Sequence, residues 1–237
     1  MSFKYLPLSK LKSYNFEYII ITLSAISKID RLKYSFKCNN TFDLRIYEFN
    51  ENVKSLKKIL KYLPNSKIII VSNPVDELVT FLSKNTTLDV IGFGISLDAL
   101  RYSNYFNKKI NCIGLHGFSI PLNILKNESS FLKLHSKVDL KLLNYFKKNG
   151  INYEVVSNEF KIFFDKLNSN KQNTLYVSKY LLKEALGIKD LSLSLPYQVK
   201  DGNILSLKKI KLNTIEKNII KNFYLPNFPG LSKTIDL

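Results

Sequence analysis

The pattern of apolar residues predicts that the first third of the chain is an α/β unit. Two unbroken runs rich in β-branched residues, EYIIIT (17–22) and KIIIV (67–71), are typical of parallel strands that are buried on both faces. Between them, apolar residues recur at alternating steps of three and four, which predicts one helix face formed by Ile46, Phe49, Val53, Leu56, Leu60 and Leu63. Pro64 ends this helix, so we expect a strand–helix–strand unit with a right-handed crossover.

The connection at residues 23–41 is polar and basic, and it is long for a unit of this kind. Connections of that length are usually functional lids or disordered segments. We therefore expect a loop between the first strand and the helix.

After residue 93 the pattern changes to α+β. The predicted elements are a strand at INCIG (110–114), helical residues 138–166 with a break near Asn149 and Gly150, a hairpin, and a last helix at 215–223. The hairpin joins LSLSLPYQV (191–199) to ILSLKKI (204–210) through Asp201-Gly202. Pro196 places that ribbon at an edge or a bulge. Asn213 and Glu216 predict a capping box for the last helix.

Composition narrows the class of protein. A chain of 237 residues with 45% hydrophobic residues can bury a substantial core. The net charge of +17 suggests a nucleic-acid partner, but the lysines are scattered and the richness in Lys, Asn, Ile, Tyr and Phe is what AT-rich codons produce. We therefore expect no nucleic-acid partner. No apolar run approaches the roughly 18 residues of a membrane span, so we expect a cytoplasmic protein without a membrane partner.

Metal chemistry is not indicated. Cys38 and Cys112 are far apart and fit no ligand spacing, so we expect two small buried or half-buried thiols in a reducing compartment and no metal site.

Three short motifs carry the candidate chemistry. SNPVD (72–76) follows the second strand at its carboxyl end, where open parallel sheets bind ligands. In VIGFGISLDALR (90–101), Asp98 and Arg101 share one face of a predicted helix. In GLHGFS (114–119), a histidine lies between two glycines. Each motif alone has an ordinary structural explanation, such as a capped turn, an exposed ion pair or a tight loop.

Together and in this order, the three motifs resemble the L-lactate/malate dehydrogenase family. The resemblance extends to FNENVKSLKKILKYLPNSK (49–67) and to GIKDLSLSLPYQVKDGNI (187–204). It implies an α/β fold with a truncated Rossmann-like parallel sheet in residues 1–92, the partial dinucleotide-binding domain. An α+β substrate-binding and catalytic C-terminal domain would follow in residues 93–237. The implied activity is NAD-dependent hydride transfer to or from lactate/pyruvate or malate/oxaloacetate, and the sequence does not decide between the two pairs.

The resemblance also implies roles for individual residues. His116 would accept the hydroxyl proton of the substrate, Asp98 would hold its imidazole, and Arg101 would grip the substrate carboxylate in a two-pronged pair. Asn73 would hydrogen-bond the reacting oxygen, and Asn152 falls near a position that lines the substrate pocket. The implied cofactor contacts lie at the ends of the first two strands: Thr22, Ser24, Ser72 and Asn73.

The sequence also departs from the family pattern. It has no GxGxxG turn, which is the family's phosphate-binding half, so we expect impaired NAD binding and an open sheet edge. Ile26 occupies the register of a loop arginine that Arg31 or Lys37 could replace. Leu115 and Phe118 stand where the family has acids.

These departures leave alternatives open. The chain is either a working dehydrogenase, represented here by an incomplete gene model or using an unusual cofactor arrangement, or a catalytically inactive relative. An inactive relative would bind a 2-keto acid or dock onto a full-length paralogue. A homo-oligomer is the other expected assembly, and a nucleic-acid-binding module, supported by charge alone, is the third reading.

Overall fold

A computed structural model describes residues 5–39 and 41–224 of the chain. Eight strands form one mixed sheet. The strands are β1 (Tyr18–Ile21), β2 (Lys67–Ile70), β3 (Val90–Gly92), β4 (Cys112–Leu115), β5 (Phe118–Pro121), β6 (Asn173–Tyr180), β7 (Ser192–Lys200) and β8 (Asn203–Leu207). The α-helices are α1 (Lys28–Ser35), α2 (Thr41–Ile59), α3 (Val75–Asn85), α4 (Ile95–Phe106), α5 (Glu128–Asn149), α6 (Tyr153–Leu167) and α7 (Thr214–Ile219). Short 3-10 turns cover Leu8–Ser13 and Leu60–Tyr62, and a π-helical turn, Ile220–Tyr224, follows α7.

The first three strands form the predicted parallel unit. Tyr18 pairs with Lys67 across β1 and β2, and β3 lies on the other side of β2. The expectation of burial on both faces is confirmed for β2, whose residues Ile68 to Ile70 are fully buried. It is wrong for β1, because the side chain of Ile20 is 42% exposed and lines a cavity instead of packing in the core.

Helix α2 is the predicted helix, but its buried face differs from the predicted one. Phe49 and Leu56 are buried as expected, whereas Ile46 is 51% exposed. The inward positions at this end of the helix belong instead to three polar residues, Arg45, Glu48 and Asn52. Paired polar side chains can occupy buried positions, and the apolar period alone does not reveal them.

The predicted loop at residues 23–41 contains a helix, so that prediction is wrong over much of its length. Helix α1 begins at Lys28 because Ser27 caps it, with the Asp30 backbone N–H donating to Ser27 Oγ at 3.0 Å. A segment dominated by polar residues can therefore be helical here without forming a large apolar face.

The antiparallel part of the sheet begins where β6 pairs with β3, and the order then continues through β7, β4 and β5. The predicted hairpin is confirmed: β7 and β8 are joined by Asp201 and Gly202, both at positive φ. Of the two positions predicted for the ribbon, the edge is wrong, because β7 pairs with β6 on one side and with β4 and β8 on the other. The ribbon does have a register shift, but it lies between Gln198 and Val199 and not at Pro196. Pro196 lies between the β4 and β8 pairings, where its carbonyl accepts the Lys208 N–H at 2.8 Å.

The helices of the second half follow the predicted order, but α5 begins at Glu128, ten residues before the predicted start, and the α-helical part of the last helix ends at Ile219. Gly150, at φ 74°, separates α5 from α6, and Asn213 and Glu216 form the predicted capping box of α7. Among the described residues, one hydrophobic cluster is formed within residues 19–90 by β1–β3, α2 and α3, and a larger one lies between the sheet and α5–α7. A third, small cluster joins α4 to β4.

Candidate active site

Three chain segments bring the motif residues together. SNPVD leads from β2 into α3, Gly94 starts helix α4 with Asp98 in its first turn, and His116-Gly117 is the turn between β4 and β5. Gly117 has φ 90°, a conformation that favours glycine. The strand ends and the tight turn therefore hold the histidine against the first turn of α4.

His116 and Asp98 form a buried pair. The Nδ1 atom of His116 lies 3.1 Å from Oδ2 of Asp98, and about 4% of each side chain is exposed. The same carboxylate oxygen accepts the Gly117 N–H at 2.7 Å, while Arg101 Nη1 pairs with the other oxygen, Oδ1. The structure thus brings together the three residues that the sequence analysis named from two separate motifs.

The backbone of His116 is held by two further charged side chains. Its N–H donates to Oδ2 of Asp76 at 2.6 Å, and its carbonyl accepts a hydrogen bond from Arg45 Nη1 at 2.6 Å. Both side chains are buried. Asp76 is part of the SNPVD motif, which the sequence analysis selected as a candidate ligand-binding segment, whereas nothing in the sequence analysis pointed to Arg45.

The protonation states follow from burial and charge. Burial lowers the pKa of His116 to about 4, with Arg45 and Arg101 contributing in the same direction and Asp98 opposing. Burial alone would raise the pKa of Asp98, but His116 and Arg101 outweigh it and hold that pKa below its ordinary value. At neutral pH the imidazole is therefore neutral. It donates from Nδ1 to the ionised carboxylate, and Nε2 carries the free lone pair.

Two cavities meet at His116. The first, the Arg101 cavity, has a volume of about 420 Å³, and the second, the Ser72 cavity, about 590 Å³. Both are lined by a shared set of residues: Arg31, Asn73, Leu97, His116, Ile151 and Val156. The histidine and Asn73 thus stand where a ligand in one cavity would meet a ligand in the other.

The other predicted site residues divide between the cavities. Arg101 and Asn152 line the first, and Thr22, Ser24 and Ser72 line the second. Asn152 is also engaged as the cap of α6, where its Oδ1 accepts the Val155 N–H at 3.1 Å.

Helix α1 supplies Arg31, which reaches both cavities. Its Nε lies 2.6 Å from Glu48 Oε1, and its Nη2 donates to Ser24 Oγ at 3.0 Å. Lys37, the alternative considered from the sequence, does not line either cavity. Burial raises the pKa of Glu48, while Arg31 and Arg45 act against that rise.

Leu115 and Phe118, which stand where the family has acids, pack against other apolar side chains. Leu115 is 2% exposed in the larger hydrophobic cluster. Phe118 packs its ring edge-on against Phe131 and His135, with centroid distances of 5.5 and 4.5 Å. The residues on either side of the His116-Gly117 turn are therefore apolar.

In the part of the chain that the structure describes, no three His, Cys, Asp or Glu side chains come together as a metal site. Over the same residues, no helix has the length and apolar character needed to cross a membrane.

Similar proteins were found by sequence and by structure. Malate dehydrogenase of Ehrlichia chaffeensis is 24% identical over 209 residues, which cover 73% of this chain and 66% of that protein. L-lactate dehydrogenase 1 of Clostridium acetobutylicum is 29% identical over 211 residues, 74% of this chain and 67% of that protein. The chain is related to the L-lactate/malate dehydrogenase family.

The fold is also similar to that of solved lactate dehydrogenases. A lactate dehydrogenase from a Medee basin deep-sea metagenome library superposes with a TM-score of 0.70 at 19% identity, over 97% of this chain and 78% of that one. The L-lactate dehydrogenase of Clostridium thermocellum gives 0.65 at 21% identity with the same coverage. No family model matches the chain. The matched regions span only about two thirds of the length of the two curated dehydrogenases described above.

Proposed function

We propose that this dehydrogenase relative is an NAD-dependent 2-hydroxy-acid oxidoreductase acting on acids of the lactate/pyruvate or malate/oxaloacetate type. The observation that carries the proposal is the neutral imidazole of His116, backed by ionised Asp98, at the junction of two cavities of which one holds Arg101. A base for a hydroxyl proton and a cation for a carboxylate are the two groups that a short hydroxy acid requires.

Each protein group has a defined task in this proposal. His116 accepts the hydroxyl proton at Nε2, and the resulting imidazolium is stabilised by Asp98, which is already ionised. Arg101 keeps one nitrogen on Asp98, and its remaining N–H donors bind the substrate carboxylate. Asn73, which lines both cavities, orients the reacting oxygen, and Asn152 lines the pocket.

The Ser72 cavity fits the nicotinamide end of NAD. Its walls are largely apolar, and Asn73 Oδ1 is buried without a hydrogen-bond partner among the described residues, so it can accept from an amide donor such as the carboxamide. Thr22, Ser24, Ser72 and Asn73 would hold this end. NAD, when bound, supplies the acceptor for the hydride that leaves the substrate carbon. The sequence has no GxGxxG turn for the pyrophosphate.

The proposal also assigns a role to each of the two predicted domains and a partner to the open sheet edge. Residues 1–92 contribute the cofactor side and residues 93–237 the substrate side. The outer edge of β1 carries no strand within the described residues, which favours a second copy or a full-length paralogue as a covering partner.

A second candidate is a catalytically inactive relative that binds a 2-keto acid. The ion pair between Arg101 and Asp98, which already engages the arginine proposed to bind the carboxylate, favours it. The two candidates differ in whether NAD binds and whether a hydride is transferred.

The deciding experiment is a fluorescence titration of NADH with and without oxamate, followed by turnover assays with pyruvate and oxaloacetate. Micromolar NADH binding that oxamate tightens, with turnover that His116→Gln abolishes, supports the enzyme. His135→Gln, which changes the other of the two histidines of the chain, is the matched control and keeps its turnover. Oxamate binding that needs Arg101 but not NADH supports the inactive relative.

A further inference from the structure

The Arg101 cavity is larger than a three- or four-carbon acid requires. Its volume of about 420 Å³ lies in the range of roughly 300–1,000 Å³ that holds drug-sized ligands. Pyruvate has six non-hydrogen atoms, and at roughly 30 Å³ per water-sized atom it would fill less than half of this space. A bound substrate of that size would leave a cavity beside the reacting carbon.

The unfilled part of the cavity is apolar. Leu97 and Leu100 of α4, Leu142 and Phe146 of α5, and Val155 of α6 line it. Helix α4 also carries Arg101, and His116 lines the same cavity. The apolar wall therefore starts next to the groups that bind the carboxylate and accept the proton. A substrate side chain can therefore enter it while its carboxylate stays on Arg101.

The charged lining disfavours a second carboxylate. Arg101 is paired with Asp98, and Arg31 with Glu48 at 2.6 Å. Arg45, the third arginine of this cavity, lies against Gly117 and donates to the His116 carbonyl at 2.6 Å. The second carboxylate of a dicarboxylate would have to share an arginine that already has an acidic or carbonyl partner, whereas an apolar side chain needs no such sharing.

We propose that the preferred substrate of this site is a 2-oxo or 2-hydroxy monocarboxylic acid with a branched aliphatic or aromatic side chain. The inference rests on the proposed function and narrows its substrate class. Each additional buried methylene is worth about a fourfold gain in affinity, so the three extra carbons of 4-methyl-2-oxopentanoate correspond to about 50-fold over pyruvate.

The test compares four acids: pyruvate, oxaloacetate, 4-methyl-2-oxopentanoate and phenylpyruvate. Calorimetric binding to the protein without cofactor is measured first, and turnover with NADH second. We expect the two bulky acids to bind at least tenfold more tightly than pyruvate and oxaloacetate, and to have the higher kcat/KM.

Matched variants assign the effect to the cavity. Leu142→Phe fills the apolar wall and should weaken binding of 4-methyl-2-oxopentanoate at least tenfold, with less than a threefold change for pyruvate. Leu140→Phe, on the same helix at a position that is 53% exposed, should change neither. Val155→Phe fills the cavity from α6 and replaces Leu142→Phe if that variant does not fold.

The outcomes separate this inference from the proposed function. Tighter binding or faster turnover of pyruvate or oxaloacetate overturns the inference and leaves the oxidoreductase proposal standing. Tight binding of the bulky acids without turnover supports the inference and contradicts the enzyme proposal. If none of the four acids binds or reacts, both are wrong.

Discussion

Replacing Gly117 with alanine places a methyl group against the guanidinium of Arg45. An ideal Cβ at this position would overlap the Cζ, Nη2 and Nε atoms of that side chain, and the glycine itself has φ 90°. Arg45 is 8% exposed and donates to the carbonyl of His116, so it has little room to move aside. The substitution therefore combines backbone strain with the loss of a buried, charged hydrogen bond.

The two costs can be separated. An L-residue at positive φ costs about 1–2 kcal/mol. Displacing Arg45 from a buried carbonyl costs about 1.5–3 kcal/mol more, so together we expect a loss of about 2.5–5 kcal/mol in the free energy of unfolding. For a chain of this size each 1 kcal/mol lowers Tm by about 2–4 °C, which gives a decrease of about 5–20 °C.

Urea unfolding followed by far-UV circular dichroism measures the loss. Gly150→Ala is the matched control, because Gly150 also has positive φ, at 74°, but the nearest atom to an added Cβ is Lys28 Cε at 3.8 Å. That variant carries only the backbone cost of about 1–2 kcal/mol. The decisive comparison repeats Gly117→Ala in an Arg45→Ala background, where the loss should shrink by about 1.5–3 kcal/mol. Strictly additive losses would refute the role given to Arg45.

Three further predictions concern charge and capping. Burial raises the pKa of Asp76 from its ordinary 3.8 to about 6, so folding takes up a proton between these values. The stability of the wild type relative to Asp76→Asn should therefore fall by about 2 kcal/mol from pH 4 to pH 7 in urea titrations, and a constant difference would contradict this. Arg31→Ala removes the ion-pair partner of buried Glu48 and should lower the free energy of unfolding by about 3–5 kcal/mol. Adding Glu48→Gln should restore part of that loss, which a double-mutant cycle measures. Glu216→Ala, at a buried capping-box position, should lower Tm more than Ser130→Ala at the equivalent half-buried position of α5. Equal shifts would show that the deeper burial of the α7 box is unimportant.

Local patterns predicted much of the fold because they act over short distances. The strand–helix–strand unit, the Asp201-Gly202 hairpin and the Asn213 cap each depend on residues a few positions apart. Helix α1 escaped prediction because its sequence is polar and its cap, Ser27, is a single residue in a basic segment. Polarity was a poor guide there, since a helix needs satisfied ends as well as an apolar face.

The candidate site shows the same limit at longer range. The order of the motifs led to Asp98 and His116, and the structure places them 3.1 Å apart. The contact between Arg45 and the His116 carbonyl joins residues 71 positions apart, so no local sequence pattern predicts it. The helical period even assigned Ile46 to the interior, one position away from the arginine that is buried. Long-range charge pairing, which apolar periodicity does not record, decides such positions.

The pairing of β3 with β6 has a consequence for synthesis on the ribosome. The cluster of residues 19–90 contains only its own apolar side chains, so it can form as soon as β3 has emerged. Ile91 of β3 pairs with Lys179, which is synthesised 88 residues later. At about 5–20 residues per second, synthesis of that stretch takes roughly 4–18 s. During that interval the free edge of β3 is open to other chains. Nascent-chain aggregation should therefore begin at this edge, and a chaperone that covered it would protect the later assembly of the whole sheet.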